Sequence, residues 1–266
     1  MSSDVIKPIS ARIPSDVRIT AGTFPRIDLD RCALLLDIDG TLLDFAPTPR
    51  AVTVPDGLVA TLEGLRERTS GALALVSGRS LDDIDWMFAP ARFPSVGGHG
   101  AEMRLSVDGE AVATRAPPLN AELKRRLAAI AAMHDGILLE DKGYSLALHF
   151  RRAPQAGAAI HDAVSTIRAD FPDPPIEVLP GKFVCEIKQS GFTKATGVRE
   201  LMTHAPFRDR RPVFLGDDVT DETVFAIMPD YDGLSFSVGR RAQGVAGEFS
   251  GPSQVRDWLA SLLAAQ

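Results

Sequence analysis

The sequence predicts an α/β protein: a doubly wound parallel sheet with a smaller α+β module inserted into it. Three observations predict this. Short apolar runs such as CALLLDI (32–38) and GALALVSGR (71–79) end in acidic, hydroxyl or glycine residues, the pattern of buried parallel strands. Segments with helical spacing alternate with those runs. The middle of the chain breaks the alternation and gives the order helix-strand-strand twice.

The elements follow in order. After the strand at 32–38, PDGLVATLEGLRERT (55–69) has helical spacing at Leu58, Leu62 and Leu65. The strand at 71–79 ends in Ser-Gly, and SLDDIDWMF (80–88) opens a helix with Ser80 and Asp83 spaced as in a capping box. FPSVGGHGAEMRL (93–105) reads as a short strand around a glycine-rich turn. The middle supplies a helix at 119–134, strands GILLEDK and YSLALHFR, a helix at 155–171, and two strands in IEVLPGKFVCEIK (176–188). The end returns to alternation: TKATGVRELMTH (193–204) as helix, PVFLGDDVTDETVFAIM (212–228) as strand, loop and helix, LSFSVG (234–239) as strand, and 253–264 as helix. The expected organisation is a leader at 1–30, a first core part at 31–106, the inserted module at 107–188 and a second core part at 189–266. The insert is of small-domain size.

The bulk numbers bound the function. The chain has 266 residues, 45% hydrophobic and 24% charged, with a net charge of -6. That excess of acid is no footprint for nucleic acid or an anionic membrane, although a local basic pocket can still take a small anion. No apolar run reaches the length of a membrane span. The first twenty residues lack the apolar core of a secretory signal. Cys32 and Cys185 form no CxxC pair, which leaves zinc and redox motifs unsupported and fits a reducing, cytoplasmic setting. A monomer is expected.

In doubly wound sheets ligands bind at the carboxyl ends of the strands, where Asp37, Ser77 and Asp217 fall. Asp37 and Asp39 stand two apart in LLLDIDGTLLDF (34–45), and like charges that close repel. A hard divalent cation with oxygen ligands resolves the repulsion. A second acidic cluster, GDDVTDE (216–222), also ends an apolar strand and offers Asp217, Asp218 and Asp221. Ser77 and Gly78 can hold phosphate oxygens through a hydroxyl and backbone N–H groups ahead of a helix. Lys194, near a helix start, gains nothing from the helix dipole and could neutralise a phosphate or a carboxylate.

In the insert, strand alternation separates two faces. Tyr144, Leu146, Leu148 and Phe150, with Phe183, Cys185 and Ile187, form an apolar face for the two helices. The other face carries His149, Arg151, Lys182, Glu186 and Lys188, which suits a hydroxyl-rich, charged ligand as well as it suits solvent.

Together the four core motifs, Asp37-Ile38-Asp39-Gly40-Thr41, Ser77, Lys194 and Gly216-Asp217-Asp218 with Asp221, resemble those of the haloacid dehalogenase superfamily of phosphotransferases. That resemblance implies a Rossmann-like core and a mixed α/β cap between the Ser and Lys motifs. Within it the chain is similar to trehalose-6-phosphate phosphatases, from about Ala33 onward, in LALVSGRS, GGHGAE, LLEDKGYSLALHFR, GKFVCEIK and PVFLGDDVTDE. The family implies that Glu140, Lys142, His149 and Glu186 hold the sugar hydroxyls. Arg151, Lys182 and Lys188 are the weaker candidates of the same face. Two positions depart from the family pattern: Thr193-Lys194-Ala195 replaces Asn/Ser-Lys-Gly, and Gln189 stands where proline is usual.

The expected chemistry is Mg²⁺-dependent hydrolysis of a sugar phosphate. Asp37 is the expected nucleophile. Asp39 is the expected acid and base, in a setting that raises its pKa. Asp37, the Asp39 carbonyl and Asp217 are the expected Mg²⁺ ligands. Asp218 and Asp221 stand behind them. Thr41, Ser77, Gly78 and Lys194 form the expected phosphate cradle. The rivals are another capped sugar-phosphate phosphatase, a phospho-receiver module and an inactive sugar-phosphate binder.

Overall fold

The computed structural model describes residues 27–46, 51–109, 116–181 and 183–264. Most of the expected leader and Lys182 lie outside the described residues. The main sheet has seven strands: β1 Cys32–Leu36, β2 Leu73–Val76, β3 Ser95–Gly97, β4 Glu102–Arg104, β9 Arg211–Gly216, β10 Leu234–Val238 and β11 Gly247–Phe249. Their order is β11-β10-β9-β1-β2-β3-β4. All neighbours are parallel except β3 and β4.

Both faces of this sheet are covered, which is why β1 and β2 at its centre are apolar throughout. On one side Leu34, Leu36, Leu73, Leu75, Val213 and Phe236 pack against helices α1 (Leu58–Arg68), α2 (Leu81–Phe88) and α7 (Pro252–Ala264). On the other, Leu35, Ala74, Val76 and Phe214 pack against α5 (Lys194–Leu201) and α6 (Val219–Phe225). Ser80 caps α2 by accepting from the Asp83 amide at 3.2 Å. The Asp83 carboxylate takes the Ser80 hydroxyl rather than its amide, so the expected box is half formed.

The inserted segment builds a four-stranded antiparallel sheet, β5 (Leu138–Asp141), β6 (Ser145–His149), β7 (Ile176–Gly181) and β8 (Val184–Gln189), ordered β5-β6-β8-β7. Helices α3 (Ala121–Ala131) and α4 (Gly157–Ala169) cover one face through Leu123, Leu127, Ile160 and Val164, against Leu146, Leu148, Cys185 and Ile187. The expected face assignment therefore holds for these residues, and Phe150 and Phe183 join them.

Tyr144 departs from it. It precedes β6 and packs with Ala101, Ala116 and Phe192, against the main-sheet side of the molecule. Alternation applies only while the chain stays extended, and Gly143 turns it just before Tyr144. Two further elements were not expected. β4 makes the 93–105 segment a hairpin rather than one strand. β11 is three residues long with only Phe249 buried, too short for a periodicity signal. Among the described residues no helix is long and apolar enough to cross a membrane. Burial pushes the Cys32 thiol up to about 12 and that of Cys185 up to about 11, so neither is a thiolate at neutral pH.

Candidate active site

The carboxyl ends of β1 and β9 lie side by side, because the two strands are paired in register through Leu36 and Leu215. Asp37 follows one strand and Asp217 the other. Gly40 makes the approach of these loops feasible. Its φ is +79°, and a Cβ there would lie 2.1 Å from Asp217 Oδ2.

Lys194 is the centre of the site. It is the first residue of α5, whose N-cap Thr193 and Thr196 form a reciprocal capping box. The Ala195 departure leaves the lysine well placed. Lys194 Nζ donates to Asp37 Oδ1 and Asp221 Oδ1, each at 2.7 Å, and all three side chains are at most 5% exposed. Asp221 Oδ2 accepts from the Asp217 and Asp218 amides at 3.1 and 3.0 Å. Asp221 therefore organises the loop and the lysine. Asp218 is exposed and caps α6 through the Val219 amide.

Oxygens of Asp37, Asp217 and Asp221 lie within 4.8 Å of one another. Burial and then the neighbouring Asp221 carboxylate push the Asp37 carboxyl well above its usual range, against the pull of Lys194. The same two causes raise Asp217 to about 6. One ammonium for three carboxylates leaves negative charge uncompensated. An all-oxygen donor set with surplus charge is what a hard cation takes. Thr41, four residues after Asp37, is fully buried and its Oγ1 has no protein partner, which leaves that hydroxyl free for a ligand.

The loop after β2 comes next. Ser77 is buried, follows β2, and its Oγ accepts from the Arg79 amide at 3.2 Å. Gly78 lies beneath His99: a Cβ on it would come 2.4 Å from His99 Nε2.

Asp39 corrects the expectation of a carboxyl among carboxylates. It is outside the cluster, and both its oxygens accept from Arg79, Nε at 2.5 Å and Nη2 at 2.6 Å. The reason is local. β1 ends at Leu36, so Asp37 and Asp39 lie beyond the strand and the two-residue alternation does not hold between them. The two-pronged pair holds the Asp39 side chain against Arg79 and away from the other carboxylates.

On the inserted sheet, Glu140, Ala147 and Glu186 form one cross-strand row. His149 Nε2 meets Glu140 Oε2 at 2.8 Å, and Lys142 Nζ lies 3.9 Å from Glu140 Oε1. Ser145 Oγ donates to Glu186 Oε1 at 2.9 Å. His99 Nε2, from the main-sheet side, is 3.6 Å from Glu186 Oε2. Burial alone would raise the Glu186 carboxyl, but His99, Lys142 and Ser145 outweigh it and bring it to about 2. The four family-implied residues thus do lie together, and His99 ties them to the Ser77–Gly78 loop.

The weaker candidates separate. Arg151 lies past the end of β6, exposed, with its guanidinium over the Phe183 ring. Lys188 is buried, pairs with Glu177 at 2.9 Å and donates to the Phe192 carbonyl. Sequence reasoning missed Arg79 and His99. Both sat inside quoted motifs, SGR and GGHG, but nothing in one chain ranks an arginine after a turn or a histidine between glycines.

Comparison with known proteins agrees with this geometry. The Trehalose-phosphatase family model matches residues 35–249. A probable trehalose-phosphate phosphatase of Sinorhizobium fredii is 44% identical over 80% of this chain and 79% of its own. The trehalose-6-phosphate phosphatase of Escherichia coli is 38% identical over 85% of each. The C-terminal domain of Candida albicans trehalose-6-phosphate phosphatase shares the fold, with a TM-score of 0.73 at 21% identity over 89% of this chain and 94% of its own. The match to the family model across most of the chain, and two relatives above 30% identity, place this chain in the trehalose-phosphatase family of phosphomonoester hydrolases.

Proposed function

We propose that the chain hydrolyses trehalose 6-phosphate to trehalose and phosphate, through an aspartyl-phosphate on Asp37. One observation carries the reading. Lys194 sits between Asp37 and Asp221 at the mouth of the parallel sheet, with a polar carboxylate row joined to that mouth by the His99–Glu186 contact. In this reading an Asp37 oxygen attacks phosphorus while the phosphorus–sugar oxygen bond breaks. Asp39, released from Arg79 and carrying a proton taken up from solvent, protonates the departing sugar oxygen. It then takes a proton from the water that attacks the aspartyl-phosphate, which frees phosphate and restores Asp37. Lys194, Ser77, the Gly78 amide and the unpartnered Thr41 hydroxyl hold the phosphoryl oxygens.

Mg²⁺ is the cation this donor set fits, with Asp37, Asp217 and the Asp39 carbonyl as its ligands. Bound there, it would neutralise charge on the phosphoryl group and on the crowded carboxylates. Asp221 and Asp218 act behind these ligands. Glu140, Lys142, His149 and Glu186 hold the disaccharide. Lys188 and Arg151 act in the sheet's own packing, which removes them from the sugar contacts in this reading. A cytoplasmic monomer completes the proposal, and the two unreactive thiols fit a reducing setting.

Phosphate release from a panel of sugar phosphates and p-nitrophenyl phosphate, with and without Mg²⁺, tests this. Trehalose 6-phosphate should be preferred, and EDTA should abolish release. Glu186→Ala should lower kcat/KM for trehalose 6-phosphate by about 10²-fold, the cost of leaving hydroxyls without their buried partner. The same variant should barely affect p-nitrophenyl phosphate. Equal losses on both substrates would contradict the sugar role, and preference for another sugar phosphate would contradict the substrate.

Glu186 also predicts a pH effect on stability. Its folded value, about 2, lies below its ordinary 4.5. The unfolded chain therefore takes up the proton first as pH falls. The stabilisation is full above 4.5 and disappears as pH falls toward 2. Thermal melts of wild type and Glu186→Gln from pH 7 downward should converge in that window. A constant gap would argue that Glu186 stabilises by packing alone.

A further inference from the structure

The loop between β9 and α6 carries Asp217, and a residue from the next strand holds it. Arg240 follows β10 by two positions. Its Nε donates to the Asp217 carbonyl and its Nη2 to the Asp218 carbonyl at 2.9 Å. Nη2 also lies 2.7 Å from Glu222 Oε1, in the first turn of α6. The planar guanidinium therefore grips two successive carbonyls and is anchored by a carboxylate. From the other side, Asp221 Oδ2 grips the two amides of the same residues. The backbone of Asp217 and Asp218 is thus held by its acceptors and by its donors at once. None of the catalytic motifs contains Arg240. It also borders the cavity of about 270 Å³ that Gly40, Phe45 and Asp217 line.

We propose that Arg240 is a positioning residue for the cation site: it fixes the peptide between Asp217 and Asp218, and with it the direction of the Asp217 carboxylate. The inference rests on the proposed role of Asp217 as a ligand. The physical reason is preorganisation. A loop whose carbonyls are loose must be ordered when the cation binds, and that ordering weakens the affinity. A lysine at this position could reach one carbonyl but could not span two.

Calorimetric titration of the EDTA-stripped full chain with Mg²⁺, and with Mn²⁺ followed by its electron paramagnetic resonance signal, tests the inference. Arg240→Ala should weaken cation binding about tenfold, and Arg240→Lys by less. The apparent Mg²⁺ constant in phosphate release should rise by the same factor, with turnover at saturating Mg²⁺ much less affected. Should Arg240→Ala fold poorly by its melting curve in EDTA, Arg240→Lys carries the measurement alone. Cation affinity in Arg240→Ala and Arg240→Lys within about twofold of wild type, with Asp217→Asn failing to bind, would overturn the role of Arg240 and leave the cation site standing. Undiminished binding by Asp217→Asn would overturn both.

Discussion

Asp37→Asn should leave no measurable phosphate release, a loss of at least about four orders of magnitude, and a fold as stable as wild type or more so. The first half follows from the reacting atom. An amide cannot form the acyl-phosphate that the proposed two-step reaction needs. The second half follows from the electrostatics of the site. The Asp37 carboxyl binds its proton more tightly in the fold than its ordinary 3.8, chiefly through burial and then the Asp221 charge. A group with that sign of shift costs stability when ionised, and the cost is present at neutral pH. Asparagine lacks the cost, keeps the shape, and can still accept from Lys194. Phosphate assay, intact-mass search for a phosphorylated chain and a melting curve read all three expectations. Retained turnover would remove Asp37 as nucleophile. A melting temperature well below wild type would mean that the Lys194 pair outweighs the repulsion.

Lys194→Ala should be the opposite case, losing activity and stability together. Lys194 bridges two carboxylates that are almost wholly inaccessible to water. Its removal strands both charges, which costs about 3–5 kcal/mol when one partner of a buried pair is deleted. Urea denaturation should show the loss as a lower midpoint with an unchanged slope. In the Asp37→Asn background the same substitution should cost less, since only Asp221 is then stranded. Equal costs in both backgrounds would show that Asp37 and Lys194 are not coupled. Phosphate release should fall in parallel, because in the proposed mechanism the lysine also holds a phosphoryl oxygen.

The sheet and the motif carboxylates were legible in the sequence because both follow from local rules. Strands buried on two faces are apolar at every position, as in Ala33–Leu36. Residues that close such strands fall at one edge of the sheet, which gathers Asp37, Ser77 and Asp217 from distant parts of the chain, and Lys194 reaches the same edge from the start of α5. The helix-strand-strand repeat was legible for the same reason, since two-residue alternation sorted Leu146, Leu148, Cys185 and Ile187 to one side. What was not legible depends on tertiary partners. Asp39 looks like Asp37 until Arg79 is seen across from it. Lys188 looks like a ligand on a polar face until Glu177 and Phe192 are seen to use its charge. His99 stands in left-handed backbone, φ 54°, at a turn that brings it over Gly78 and toward Glu186, and no spacing rule encodes that approach. β11 carries too few residues to show a period.

The strand order has a consequence for the making of the chain. β1 is flanked by β2 on one side and β9 on the other. β4 ends at Arg104, and β9 begins only at Arg211, with the whole second sheet between them. At ribosomal speeds of about 5–20 residues per second, roughly 5–20 s separate the two. Through that interval the nascent chain presents β1 as a bare apolar edge, the kind of edge on which unfinished chains join one another. The strand that leads into Asp37 is therefore also the one a nascent-chain chaperone has most reason to shield.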